Sequence, residues 1–233
     1  MRAAQFLSWI AGLPLLGVAA AQARPMVVEL FTSEGCSSCP PAEALLGQLG
    51  QRSDVIAVAF HVDYWDGLGW TDRFGFHQAS VRQARYAKSL RLPSVYTPQV
   101  VVDGKGDFLG TDQRHILAEL ATARAGVNVR LAVVGSELAI NVGDQPGAPL
   151  SSIFLAAVLP QAQTAVPRGE NAGHTLTEFD IVRGFRALGS WQGQAARLTV
   201  PLSSLPADAT RAVLLVQQGG QGAVLGAAVI DLK

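Results

Sequence analysis

The chain has 233 residues, 49% of them hydrophobic, and carries 18 Lys and Arg against 18 Asp and Glu. That balance, with no basic block and no acidic tail, argues against nucleic acid or anionic lipid as a partner. The apolar fraction can bury a core without staples, and with only 2 cysteines a four-cysteine zinc site is impossible within one chain.

The first residues read as an export signal. Arg2 gives a basic start, residues 6–21 are almost wholly apolar or small, and Ala21-Gln22-Ala23 fits the small-x-small cleavage pattern, so residues 1–23 are expected to be a signal peptide. The apolar run is short for an anchor, and no later segment reaches the 18 or so apolar residues needed to span a bilayer. The mature chain is therefore expected without a transmembrane segment, in the periplasm or outside the cell. There, a disulfide can be structural or catalytic.

Residues 26–31 form an apolar strand that runs into Cys36-Ser37-Ser38-Cys39, and residues 40–49 follow as a helix with proline at its start. A helix N-terminus carries partial positive charge and unpaired N–H groups, which favours a thiolate at Cys36. Lowering a thiol pKa from about 8.5 toward 7 takes only about 2 kcal/mol of differential interaction. Cys39, one helical turn on, is placed to resolve a mixed disulfide. The hydroxyls of Ser37 and Ser38 would favour the charged sulfur by donating to it, and the anionic Glu34 would oppose it.

A second strand at 55–60 is continuously apolar, as expected of a strand buried on both faces. It leads into His61-Val62-Asp63-Tyr64-Trp65-Asp66, at the edge where open α/β folds place their ligands. His61, Asp63 and Trp65 are thus candidates to contact substrate or support the cysteines, with Asp63 or His61 relaying the proton of Cys39. The competing assignment has the aromatics capping the core and the aspartates capping turns. A helix at 78–90, Thr97-Pro98 before a strand at 99–102, a turn at Asp103-Gly104 and a helix at 112–124 complete the first half. Beyond Gly126 come short strands near 127–133, 138–142, 153–159, 175–183, 196–200, 212–216 and 224–230, separated by turns rich in Gly, Pro and Asn, as in an antiparallel β-sandwich. The most polar loop, Arg168-Gly169-Glu170-Asn171 with Gly173-His174, is either an ordinary solvated loop or a cover packed on the dithiol.

A Cys-x-x-Cys at a strand-to-helix junction, with Thr-Pro some sixty residues later just before a strand, resembles the thioredoxin superfamily. The longer strings 29–43, 61–66, 95–99 and 168–177 resemble the secreted thioredoxin-like family catalogued as domain of unknown function 1223. The resemblance implies an α/β thioredoxin-like domain at 24–125, and the strand pattern beyond it an antiparallel β-sandwich-like domain at 126–233. It also implies a cis Thr97–Pro98 bond facing the dithiol, with Pro98 acting beside Cys36 and Cys39 and Thr97 a further substrate-contacting candidate. The chain departs from thioredoxin in having Gly35 before the first cysteine and two serines between the pair.

Other chemistries find little support. The four histidines lack ligand spacing, no Gly-x-Ser-x-Gly elbow occurs, and no phosphate loop, nicotinamide or flavin fingerprint is present, so no cofactor and no resident metal are expected. The leading expectation is an exported thiol-disulfide oxidoreductase that exchanges disulfides with a protein or small-molecule thiol. The alternatives are a non-catalytic envelope binding module with a structural disulfide, and a Cys/His copper or zinc carrier.

Overall fold

Strands β1 (Met26–Thr32) and β2 (Val55–His61) are buried along their whole length and pair in parallel, Val28 opposite Ala57 and Phe31 opposite Phe60. This burial on both faces is why they read as largely apolar runs, with Glu29 the one charged residue inside them. The computed structural model describes residues 24–122 and 124–232, so the expected signal peptide lies outside the described residues. After β1 comes α1 (Pro40–Leu49), and after β2 comes α2 (His77–Ser89). Then β3 (Gln99–Val102) and β4 (Gly106–Leu109) form a hairpin, followed by α3 (Gln113–Leu120). This last helix is shorter than the expected 112–124: Asp112 caps its start by accepting from the His115 N–H, and it closes at Ala121.

The second half supplies β5 (Val129–Val134), β6 (Glu137–Val142), β7 (Ser151–Val166), β8 (His174–Trp191), β9 (Ala196–Pro201), β10 (Arg211–Gln218) and β11 (Val224–Asp231). Their pairing overturns the expectation of an α/β domain followed by a sandwich-like domain. One mixed sheet of 8 strands runs β11-β10-β7-β8-β2-β1-β3-β4, drawing on both halves of the chain, and only β5-β6-β9 form a separate sheet of 3 strands. The junction is the parallel bridge between Ala59 of β2 and Ile181 of β8. It exists because β7 and β8, at 16 and 18 residues, make a hairpin long enough to lie beside β2 and continue past it. Strand thus predominates over helix, arranged around one large sheet.

Alternation along the strands assigns the layers. Val28, Leu30, Ala57 and Ala59 pack under α1 and α3 on one face. On that same side of the sheet, Ile153, Leu155, Leu214 and Val216 pack against the small sheet. The opposite face, with Val27, Phe31, Val58, Phe60, Val213 and Leu215, receives Ala79 and Tyr86 of α2. Near the chain's first described residues, Arg24 forks onto both carboxylate oxygens of Asp103 at 2.9 and 2.7 Å and also donates to the Val224 carbonyl, tying β1, the β3–β4 turn and β11 together.

Candidate functional site

Cys36 and Cys39 are bonded to each other, with S–S 2.04 Å, where β1 gives way to α1. Cys39 is the residue preceding the helix, and its carbonyl accepts from Ala42 and Glu43. The supply of unpaired N–H groups expected here is smaller than the helix position alone suggests. Pro40 and Pro41 fill the first two helical positions and have no N–H, and the third donor, Ala42, is used. Both cysteines are buried, Cys36 at 0% and Cys39 at 1% exposure.

The two serines diverge. Ser38 Oγ lies 3.5 Å from Cys36 Sγ, whereas Ser37 Oγ turns away and donates to Glu170 Oε2 at 2.7 Å. Glu170 belongs to the loop between β7 and β8, and its neighbour Asn171 goes deeper. The Asn171 side-chain amide donates to the carbonyls of Glu34 (2.9 Å) and Cys36 (3.1 Å) and is itself buried. The polar loop is therefore a cover packed on the dithiol. Its path needs Gly169, at φ +84°, where an added Cβ would come within 3.0 Å of the Trp70 side chain.

Trp65 stands on the other side of the same junction. Its indole nitrogen donates to Thr97 Oγ1 at 2.9 Å, and its Cβ would lie 3.1 Å from a Cβ added at Gly35, so a larger residue there would have to push Trp65 aside. The Thr97–Pro98 peptide is cis, and Pro98 is buried beside Ala42 of α1, the two flanking Gly110. Cys36, Cys39, Ser38, Trp65, Thr97 and Pro98 thus fall in one region. Asp63 points elsewhere: Ser80 and His77 of α2 are its partners, and the Ser80 hydroxyl, followed by His77, holds its carboxyl below the usual range.

Behind Cys39 lies a group of buried ionisable residues. Thr32, Ser33, Glu34, Cys39, Glu43 and Glu178 line a cavity of about 10 Å³. His61 abuts the cluster, with Nδ1 2.7 Å from Asp72 Oδ2 and Nε2 3.8 Å from Glu43 Oε1. Glu34 accepts from the Trp70 indole at 2.6 Å and faces Arg73 at 3.6 Å. Four buried side-chain atoms here, Glu34 Oε1, Glu43 Oε1, Glu178 Oε1 and His61 Nε2, have no hydrogen-bond partner.

Protonation follows from this packing. Burial lowers the His61 pKa, but Asp72 and then Glu43 outweigh it and raise it to about 9, so His61 is a cation at neutral pH. Burial raises Glu43 against the pull of His61. Burial also raises Glu178 to about 8, aided by Glu34 and Glu43, which keeps its carboxyl mostly protonated at pH 7. Asp72 is penalised by burial but stays below its usual range because His61 and two backbone N–H groups hold its charge.

The folded state therefore binds more protons than the unfolded chain on Glu178 between about pH 4.5 and 8, and on His61 between about 6.5 and 9. Both contributions are complete below the unfolded pKa and are lost as pH rises through the folded one. The melting temperature is expected to be several degrees lower at pH 9 than at pH 5.5, and Glu178→Gln should remove most of the lower part of that slope. Equal melting temperatures at the two pH values would show that these groups are not held as described.

Sequence reasoning singled out Glu34 and His61 but missed Glu43, Asp72 and Glu178. A usable signal existed for Glu178: it keeps the period-two register of the buried Leu176, so a carboxylate occupies an inward position of the strand. Among the described residues no group of three or more His, Cys, Asp and Glu has the arrangement of a metal site, and no helix is long and apolar enough to cross a membrane.

The family described as "Protein of unknown function (DUF1223)" matches residues 27–217. A crystal structure of a protein from Agrobacterium tumefaciens is 28% identical with a TM-score of 0.79, covering 92% of this chain and 97% of that one. HBP35 of Porphyromonas gingivalis is 15% identical with a TM-score of 0.60, over 90% of this chain and 76% of that one, a likeness of fold alone. No curated protein matches the chain.

Proposed function

The chain belongs to the DUF1223 family, whose description assigns no activity, and from the site itself we propose that it is an exported thiol-disulfide oxidoreductase exchanging disulfides with a protein or small-molecule thiol. The observation that carries this reading is the juxtaposition of the chain's only two cysteines, bonded as a Cys-x-x-Cys pair, with protonatable carboxyls lining the cavity beside Cys39. We keep the thioredoxin-superfamily relationship within the proposal, on the strength of the strand, Cys-x-x-Cys and helix succession. Export rests on the pattern of residues 1–23.

In the exchange, a partner thiolate attacks Cys36 Sγ, a partner–Cys36 disulfide forms and the Cys36–Cys39 bond breaks. Cys39 leaves as a thiolate and takes the proton that Glu178 holds near neutral pH. A second partner thiolate then attacks the partner's own sulfur in the mixed disulfide, releasing Cys36 as a thiolate. The partner dithiol has been oxidised by two electrons and the protein's disulfide reduced by two. The reverse sequence uses the same groups with Glu178 as base. His61 and Asp72, as a buried ion pair, set the field in which that proton moves.

One observation favours a second reading, a structural disulfide in a binding module: neither cysteine reaches solvent in the closed state. The equilibrium reduction potential separates the two readings. A value between about −120 and −270 mV, measured by thiol alkylation across a glutathione series, is expected for an exchange enzyme. A disulfide that stays oxidised below about −300 mV would place the protein with structural disulfides.

A further inference from the structure

On the face of the large sheet opposite α1, α2 is the covering element over β1 and β2, and it leaves the strip of sheet beside it open. Two neighbouring cavities lie along this seam, of about 520 and 320 Å³, sharing Arg85, Phe154 and Gln221 as walls. Each falls in the size range of small-molecule pockets. Their chemistry is one-sided. Arg85 and Lys88, three residues apart on the same face of α2, stand over the seam, and no Asp or Glu lines either cavity; Arg186 of β8 turns its guanidinium to the other face of the sheet, where it donates to Ser204. Neither Arg85 nor Lys88 is paired with a carboxylate among the described residues. The remaining cation of the wall, Arg82, is already neutralised by Glu29.

Two further features say what kind of anion would sit there. Phe154 and Phe185 are stacked, 5.0 Å between centroids with 16° between planes, and both are half-buried on the floor of the seam. They offer flat apolar surface next to positive charge. The Gln221 residue is buried, and its side-chain nitrogen Nε2 has no hydrogen-bond partner, a donor that costs free energy until an acceptor meets it.

We propose that the seam between α2 and the β7–β8–β10 sheet binds a small organic anion, a carboxylate or phosphate carried on an aromatic ring. The anionic group is held by Arg85 and Lys88, an oxygen accepts from Gln221, and the ring lies against Phe154 and Phe185. This site is separate from the dithiol and does not depend on its redox role.

The test uses isothermal titration calorimetry of the mature protein with four probes: 1-naphthyl phosphate, 1-naphthoate, inorganic phosphate and the uncharged 1-naphthylmethanol. At least one naphthyl anion is expected to bind with Kd below about 1 mM and to outbind both inorganic phosphate and the uncharged probe by about tenfold or more. Comparing the two anions distinguishes phosphate from carboxylate. The exposed double substitution Arg85→Glu, Lys88→Glu should weaken binding about tenfold or more without moving the melting temperature, and Phe154→Leu should weaken it a few-fold. The proposal fails if neither naphthyl anion binds, if 1-naphthylmethanol binds as tightly, or if charge reversal at 85 and 88 leaves affinity unchanged in a folded protein.

Discussion

Replacing Arg82 by alanine is expected to cost about 3–5 kcal/mol of stability, a large fraction of what holds a domain of this size together. Its guanidinium is buried and donates to both carboxylate oxygens of Glu29, at 2.5 and 2.8 Å, to Tyr86 Oη at 3.1 Å and to Gln217 Oε1 at 3.0 Å. Glu29 sits in the middle of β1 with no exposed surface, so removal of Arg82 strands a carboxylate between two layers. The same group of side chains spans β1, α2 and β10 and pins the helix to the sheet. Arg82 also lies 4.6 Å from the Phe185 ring centroid, so packing is lost along with charge. The pair need not be worth that much in itself, because both ions lose water on burial. Glu29→Gln is accordingly expected to be milder, near 1–3 kcal/mol, and the double variant Glu29→Leu, Arg82→Leu should recover much of the loss of either single change. Urea unfolding of the single and double variants at pH 7 gives the coupling. Loss of under about 1 kcal/mol in Arg82→Ala would mean that the network does not fasten α2.

Much of the local structure is legible in the chain, and the reasons are local. Residues 40–49 announce a helix through Pro-Pro at its start, and β2 announces itself by six consecutive apolar positions before His61. The long hairpin does not. Pro160 interrupts the ladder of β7, Gly184 and Gly189 weaken the strand pattern of β8 in the sequence, and register shifts at Ile153/Phe154 and Ala157/Val158 break the alternation, so each strand reads as half its length. That shortening is what made two domains look natural, since a seven-residue strand ending at 159 cannot reach the dithiol. The pairing of β8 with β2 rests on a contact over more than a hundred residues, which no local pattern encodes. The same holds for the site. The cysteines are read from spacing alone, whereas the carboxyls behind Cys39 arrive from α1, the loop after β2 and β8, and only the inward register of Glu178 hints at them. Glu29 is likewise hidden in an apolar strand until Arg82 is seen opposite it.

Asn171→Ala is expected to speed reduction of the Cys36–Cys39 bond by dithiothreitol about tenfold or more. With Cys36 wholly buried, a reductant must wait for the cover to open, and the rate then follows the free energy of that opening. Asn171 fastens the cover: one buried amide group supplies donors to the carbonyls of both Glu34 and Cys36, the residues on either side of Gly35. Losing those donors weakens the closed state by about 1–2 kcal/mol, and 1.4 kcal/mol is a factor of ten in the open population. The nearby Ser37–Glu170 bond is exposed, so Glu170→Ala should change the rate less than about threefold. A remote core variant of equal global stability loss, such as Val213→Ala, controls for whole-molecule unfolding and should leave the rate close to that of the unmodified protein. If Asn171→Ala and the control behave alike, reduction proceeds only through global unfolding, and the disulfide is sealed in the manner of a structural crosslink. If Asn171→Ala alone is fast, the β7–β8 loop is the gate through which a partner's sulfur reaches Cys36. The feature that joins the two halves of the chain into one sheet would then also control access to the dithiol.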